Sequence, residues 1–284
     1  MTSSNPWKLR FALPLGFPTI DRPHFLETLG TADPVEQIRY MAELGFAGVQ
    51  DNRLKSRPIA EQTRIGDALA KHGLEMGCFL NSRDDASDRR WIVDSAENSA
   101  EIMAEIEESI TVAKRVNGRN IVLSPRRDLN AATVYQFGTF IDNLRRVVEP
   151  LEKAGLTLCL EHVNELRLPG LLLRHYADSV AVTQAVNSPA VRIVYDTMHV
   201  QAMDGNLITN LERSINDIGV VQIADVPGRF EPGTGEINFV NLFRRLRALG
   251  YAGLVEMEHF YSMPGKAGEE AALQALRDIN DQIY

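Results

Sequence analysis

Four residues, Glu161, Asp196, Gln222 and Glu258, each lie at or near the end of a short β-branched, apolar run: LTLCLE, VRIVYD, VVQ and GLVEME. They recur 35, 26 and 36 residues apart, close to the length of one strand-plus-helix repeat. That period leaves few folds open to the chain. Eight such repeats make a (β/α)8 barrel of roughly 250 residues, whose chemistry gathers at the carboxyl ends of its strands.

The rest of the chain keeps the same alternation. Strands are expected at 10–16, 48–51, 75–80, 120–124, 156–161, 192–196, 220–224 and 254–258. Helical periodicity occupies roughly 33–44, 58–72, 97–116, 131–154, 173–186, 207–217, 238–249 and 267–281. Glycine often follows a helix and precedes a strand, as in KHGLEM, KAGLTL, DIGVVQ and LGYAGLVE, where a left-handed cap suits a short connection. No glycine-rich phosphate fingerprint follows the first strand, and the four strand-end residues come from consecutive strands. Both points favour a closed barrel over an open doubly wound sheet. No linker or low-complexity tract divides residues 1–284, so the expected fold is one α/β TIM-barrel domain. The longest stretches after strands, 81–96 and 225–237, are expected to wall the mouth of the barrel.

Bulk properties remove several classes of function. A formal charge of −8 argues against a nucleic-acid groove, which needs a basic stripe. The two cysteines, Cys78 and Cys159, sit inside expected strands and read as buried thiols, too few for a zinc framework. No stretch reaches ~18 uninterrupted apolar residues and the start MTSSNPWKLR lacks an apolar leader core, so no membrane association and a cytoplasmic location are expected.

Three carboxylates and an amide oxygen at one barrel mouth describe an all-oxygen site for a hard divalent cation, Mn²⁺ first and Mg²⁺ second. Imidazole or thiolate in place of Gln222 would have suited zinc instead. Alternation along the strand puts Thr157, Cys159 and Glu161 on one face, and Leu254, Glu256 and Glu258 on another. Glu256 then lies one layer deeper than Glu258, where a carboxylate needs a partner or must take up a proton.

The stretches FIDNLRRVVEPLEKAGLTLCLEHVN (140–164), its continuation NELRLPG, YDTMHVQAMDGNL (195–207), VQIADVPGRFEPGTGEINFVNLF (221–243) and GYAGLVEMEH (250–259) resemble the hydroxypyruvate isomerase family. That family consists of xylose isomerase-like TIM barrels related to the ketose 3-epimerases. The resemblance is specific over roughly 140–260 and general before it. It implies metal ligation by Glu161, Asp196, Gln222 and Glu258, the set already selected by strand ends. It further implies substrate contacts from His199 and from Arg229, whose guanidinium would suit a carboxylate. The sequence departs from the family pattern in the run His259-Phe260-Tyr261-Ser262 after the last ligand, at QDNR after the second strand and at SPRRD after the fourth, which places Arg126 and Arg127 at the mouth. These are positions where substrate choice is decided.

The implied chemistry is isomerisation of a small α-hydroxy carbonyl compound, hydroxypyruvate-like or 2-oxo-tetronate-like. Glu161 and Glu258 form the acid–base pair, moving a proton through a metal-stabilised enediolate. The same metal site would also serve a ketose 3-epimerase, or a lyase dehydrating an inosose or a dehydroshikimate-like acid. A phosphodiesterase acting on abasic nucleic acid would need several more His ligands and a basic face, and the chain has six His in all. A non-catalytic sugar- or acid-binding barrel is disfavoured by four competent ligands. The expected partner is a small sugar or sugar acid, and homodimers or homotetramers are common among such barrels.

Overall fold

The computed structural model describes residues 7–83 and 88–284, so residues 84–87 of the expected 81–96 loop and the first six residues lie outside the described part. Strands β1 (Arg10–Pro14), β2 (Gly48–Gln50), β3 (Glu75–Met76), β4 (Cys78–Leu80), β5 (Asn120–Leu123), β6 (Thr157–Leu160), β7 (Val191–Asp196), β8 (Ile218–Ile223) and β9 (Leu254–Met257) form one sheet. Their order is β3-β2-β1-β9-β8-β7-β6-β5-β4, and every pairing is parallel. The segments β3 and β4 are two halves of the strand expected at 75–80, broken at Gly77. The Gly77 N–H donates to Val49 O at 2.7 Å and the Asp51 N–H to Cys78 O at 3.3 Å, so β2 reaches across the break and the ring closes with eight strands.

The break has a steric cause. A Cβ on Gly77 would lie 2.3 Å from Oε1 of Glu256 and 3.0 Å from Val49 O. The missing side chain makes room for a buried carboxylate, which accepts from the Cys78 N–H at 2.8 Å and lies 2.9 Å from its Sγ. Glu256 is therefore the partnered inner acid that strand alternation anticipates, and burial raises its pKa to about 7.

Helices α1 (Leu26–Leu29), α2 (Pro34–Glu43), α3 (Ile59–His72), α4 (Ala96–Val116), α5 (Thr133–Ala154), α6 (Tyr176–Val186), α7 (Thr197–Met203), α8 (Leu207–Ser214), α9 (Phe239–Ala248) and α10 (Gly265–Asp281) alternate with the strands. Two of them, α1 and α7, are short additions at the barrel mouth that hydrophobic periodicity does not show. Asp33 caps α2 by accepting from the Val35 N–H at 3.0 Å, and Ser95 caps α4 by accepting from Asn98 at 3.1 Å. Gly73 and Gly155 are left-handed caps, as the sequence suggests, and Asn117 and Asn187 do the same work after α4 and α6. Gly219 differs from expectation: it lies inside β8, where a Cβ would sit 2.6 Å from Cys159 Sγ.

The apolar residues divide into two shells. A small inner cluster of Cys78, Val122, Cys159, Val194 and Val220 fills the barrel, and both cysteines are free and buried. A larger shell, including Phe11, Ile65, Phe79, Leu144 and Phe243, lies between barrel and helices. Inward alternation then carries Ser124, Glu161, Asp196, Gln222 and Glu258 to the open end, with Asp196 level with Gln222 and Gln222 level with Glu256. No helix among the described residues is long and apolar enough to cross a membrane.

Because Gly77 and Glu256 share one space, Gly77→Ala should destabilise the protein by about 1–3 kcal/mol in urea titrations. The double variant Gly77→Ala/Glu256→Ala should lose less than the sum of the two single changes. Strict additivity would show that the strand break has another origin.

Candidate functional site

Glu161 follows β6 and Glu258 follows β9, each still tied to the sheet. The Glu161 N–H donates to Leu123 O at 3.0 Å and the Glu258 N–H to Ile223 O at 3.1 Å. Asp196 ends β7 and caps α7, its Oδ1 accepting from the N–H groups of Met198 (2.8 Å) and His199 (3.1 Å). That cap turns His199 back over the barrel. Gln222 sits one residue before the end of β8, with its Nε2 facing Cys78 Sγ and Glu256 Oε2, both at 3.4 Å. Its amide oxygen is thereby left pointing up into the mouth.

The four expected ligands at the strand ends and His199 on α7 are all buried, each at most 9% exposed. Carboxylate oxygens of Glu161 and Asp196 and a ring nitrogen of His199 lie within 4.8 Å of one another. His199 Nε2 is 3.7 Å from Glu161 Oε1 and 3.6 Å from Asp196 Oδ2. Among the described residues, three oxygens of the expected ligands are buried with no hydrogen bond: Asp196 Oδ2, Gln222 Oε1 and Glu258 Oε2. Unsatisfied buried acceptors are costly, and three on these ligands suit a cation. The donor set passes the chemical test as well, since hard oxygen ligands suit a hard divalent ion.

Arg229 supplies the positive charge found there. Its Nη2 lies 3.0 Å from Glu258 Oε2 and 3.5 Å from Asp196 Oδ2, and its Nε donates to Glu258 O at 3.2 Å. The 225–237 loop holds it in place through Asp225, whose two oxygens accept from the N–H groups of Val226, Gly233, Gly235 and Ile237. The family resemblance implies a substrate contact for Arg229. Here it is buried among the acids, with φ at 59° and its guanidinium 5.3 Å from the Phe17 ring.

The electrostatics follow from this crowding. Burial, then the charges of Glu258 and Asp196, push the Glu161 carboxyl well above the ordinary range. Burial also raises Glu258, against the opposing pull of Arg229. Burial and the Arg229 charge hold His199 well below its usual pKa, so the imidazole is neutral. The backbone and side-chain N–H groups of Asn164 face its Nδ1 at 3.4 and 2.9 Å, and Arg229 Nη1 faces its Nε2 at 3.0 Å, so the ring is held between two donors.

Several supporting residues escape sequence reasoning. Asn52 donates to Glu258 Oε1 at 2.7 Å, and Ser124 donates to Glu161 Oε2 at 3.4 Å. Both lie at strand ends, so applying the strand-end criterion to polar as well as acidic residues would have found them. Arg126 and Arg127 tie two mouth loops together, donating to Pro169 O at 3.1 Å and to Glu165 Oε1 at 2.9 Å. A cavity of about 560 Å³ lies beside the acids rather than over them, reached past Phe17 and Phe260 and backed by His24, His259 and Tyr261.

The chain is 28% identical over 241 residues to hydroxypyruvate isomerase of Escherichia coli K12, covering 84% of this chain and 92% of that protein. It is 32% identical over 139 residues to 2-oxo-tetronate isomerase of Cupriavidus necator, a match spanning about half of each chain (49% and 52%). The crystal structure of an AP endonuclease, family 2, from Brucella melitensis superposes with a TM-score of 0.78 at 26% identity, over 92% of this chain and 96% of that one. Residues 38–279 match the family profile described as xylose isomerase-like TIM barrel, and the chain belongs to that family.

Proposed function

We propose that this protein is an isomerase of a small α-hydroxy carbonyl acid of the hydroxypyruvate or 2-oxo-tetronate kind. The observation that carries the reading is the pairing of two buried glutamates, Glu161 and Glu258, whose proton affinities are raised, with oxygens of Asp196, Gln222 and Glu258 that accept no hydrogen bond. The isomerase relatives point the same way.

Glu161, Asp196, Gln222 and Glu258 would hold a divalent cation, Mn²⁺ or Mg²⁺, whose contribution when bound is Lewis acidity at the carbonyl and neighbouring hydroxyl oxygens of the substrate. A carboxylate in water is a weak base near pH 7, and burial brings these two toward the operating range. One glutamate removes the proton from the carbon beside the carbonyl. The other, starting as the acid, gives a proton to the former carbonyl carbon, and the hydroxyl proton passes to the former carbonyl oxygen, which converts an aldehyde into a ketone or the reverse. Asn52 pins Glu258 through Oε1 while Arg229 pairs with its Oε2, and Ser124 steadies Glu161. The neutral His199, held between Asn164 and Arg229, sits beside Glu161 and Asp196 where it would contact a substrate oxygen. Arg229 balances the negative charge of the acids while protons move.

Glu161→Gln and Glu258→Gln should each lower turnover of hydroxypyruvate by about 10²–10⁴-fold and leave the melting temperature close to the parent. Deuterium uptake next to the carbonyl in D₂O, followed by NMR, reports the step directly, and full exchange in both variants would exclude the two glutamates as bases. Metal binding has its own readout. Mn²⁺ at about 100 times its dissociation constant should stabilise the chelator-treated protein by ~2.7 kcal/mol, an effect that Asp196→Asn should remove. A melting curve that neither Mn²⁺ nor Mg²⁺ shifts would count against the site.

A further inference from the structure

The loop after β6 carries a cation that the mechanism above leaves unused. Asn164 turns this loop, its Oδ1 accepting from the Arg167 N–H at 2.9 Å while its own N–H groups face His199. One polar residue therefore positions both the imidazole and the start of the Arg167 side chain. The guanidinium of Arg167 makes no hydrogen bond or ion pair with any described residue. It lies instead over the Phe260 ring, 5.5 Å from the centroid. Phe260 packs against Phe17 at 5.0 Å, and Phe17 carries Arg229 at 5.3 Å. Two guanidiniums thus bracket a pair of phenyl rings at the rim of the acid cluster.

The two arginines differ in what they hold. Arg229 is committed to Glu258 and Asp196. The other mouth arginines discussed above, Arg126 and Arg127, are tied to Pro169 and Glu165. Arg167 is exposed and its guanidinium has no ion-pair partner among the described residues, yet its charge is felt at Glu258, Asp196 and Glu161. Partial burial and repulsion from Arg229 lower its pKa, a cost that an anion seated beside it would relieve.

We propose that Arg167 receives the carboxylate of the substrate, making this barrel selective for keto acids over neutral sugars; the assignment rests on the isomerase reading. A guanidinium fork matches the two oxygens of a carboxylate, and its planar face can stay on Phe260 while its edge donates. The carbonyl and hydroxyl carbons of a three- or four-carbon acid then extend toward Glu161 and Glu258. A phosphate dianion draws on more donors than one guanidinium, and Arg229 is already engaged. The carboxylate is therefore the anion that fits.

The test uses D-glycerate, which has the carboxylate and hydroxyls of such a substrate but no carbonyl, so binding is read without turnover. Mn²⁺-supplied wild type, Arg167→Gln and Arg167→Lys would be titrated calorimetrically with D-glycerate and with glycerol 3-phosphate. Loss of a charge-assisted pair predicts about 10–100-fold weaker glycerate binding in Arg167→Gln, partial recovery in Arg167→Lys and an unchanged melting temperature. Equal glycerate affinity in wild type and Arg167→Gln, no glycerate binding to wild type, or tighter binding of glycerol 3-phosphate than of glycerate would each overturn the proposal. Wild type that binds glycerate through Arg167 but exchanges no deuterium into hydroxypyruvate would count against isomerisation and leave the carboxylate receptor standing.

Discussion

Mutual repulsion among buried carboxylates is the constraint around which the mouth of this barrel is built. Two like charges ~4 Å apart cost about 4 kcal/mol at an effective dielectric near 20, a large share of the ~5–15 kcal/mol that keeps a domain folded. Glu161, Asp196 and Glu258 are brought together nonetheless, and Arg229 is the protein's own answer to their charge. Its buried position requires a rigid loop, and the four N–H groups gathered on Asp225 make that loop rigid. Asn52, Ser124 and the capped N-terminus of α7 each supply a further donor to one of the three acids.

Beneath the acids lies a second layer with a different role. Glu256 accepts from Cys78 and faces the amide nitrogen of Gln222, so the orientation of that amide depends on a carboxylate one layer down. An amide oxygen presented upward is what distinguishes this mouth from a ring of three acids. The inner acid is therefore structural in placement and functional in effect.

Much of this was legible in the chain because strands alternate strictly. Once LTLCLE and LVEME are read as strands, Glu161 and Glu258 must face inward at the same end, and Glu256 must lie below. Asp196 and Gln222 follow from the same reasoning. The break at Gly77 was not legible, because it arises from a side chain 179 positions away whose carboxylate needs the space. Nor was the burial of Arg229, since VPGR looks like any exposed turn until the Asp225 network is seen. Arg167 sits on a loop whose path depends on tertiary contacts, and local pattern says little about where such a side chain arrives.

The junction between β3 and β4 bears on how the molecule assembles. The hydrogen bond that settles Cys78 against Glu256 joins positions 178 residues apart, and β1 pairs with β9 across most of the chain. Contacts of such long sequence separation carry the largest loop-closure entropy, so the ring should seal late, after the neighbouring repeats have docked in chain order. The last repeat brings Glu258 as well as Glu256. An open, partly folded barrel would therefore hold Glu161, Asp196 and Gln222 with no final acid, and competence would arrive in the same event that closes the wall.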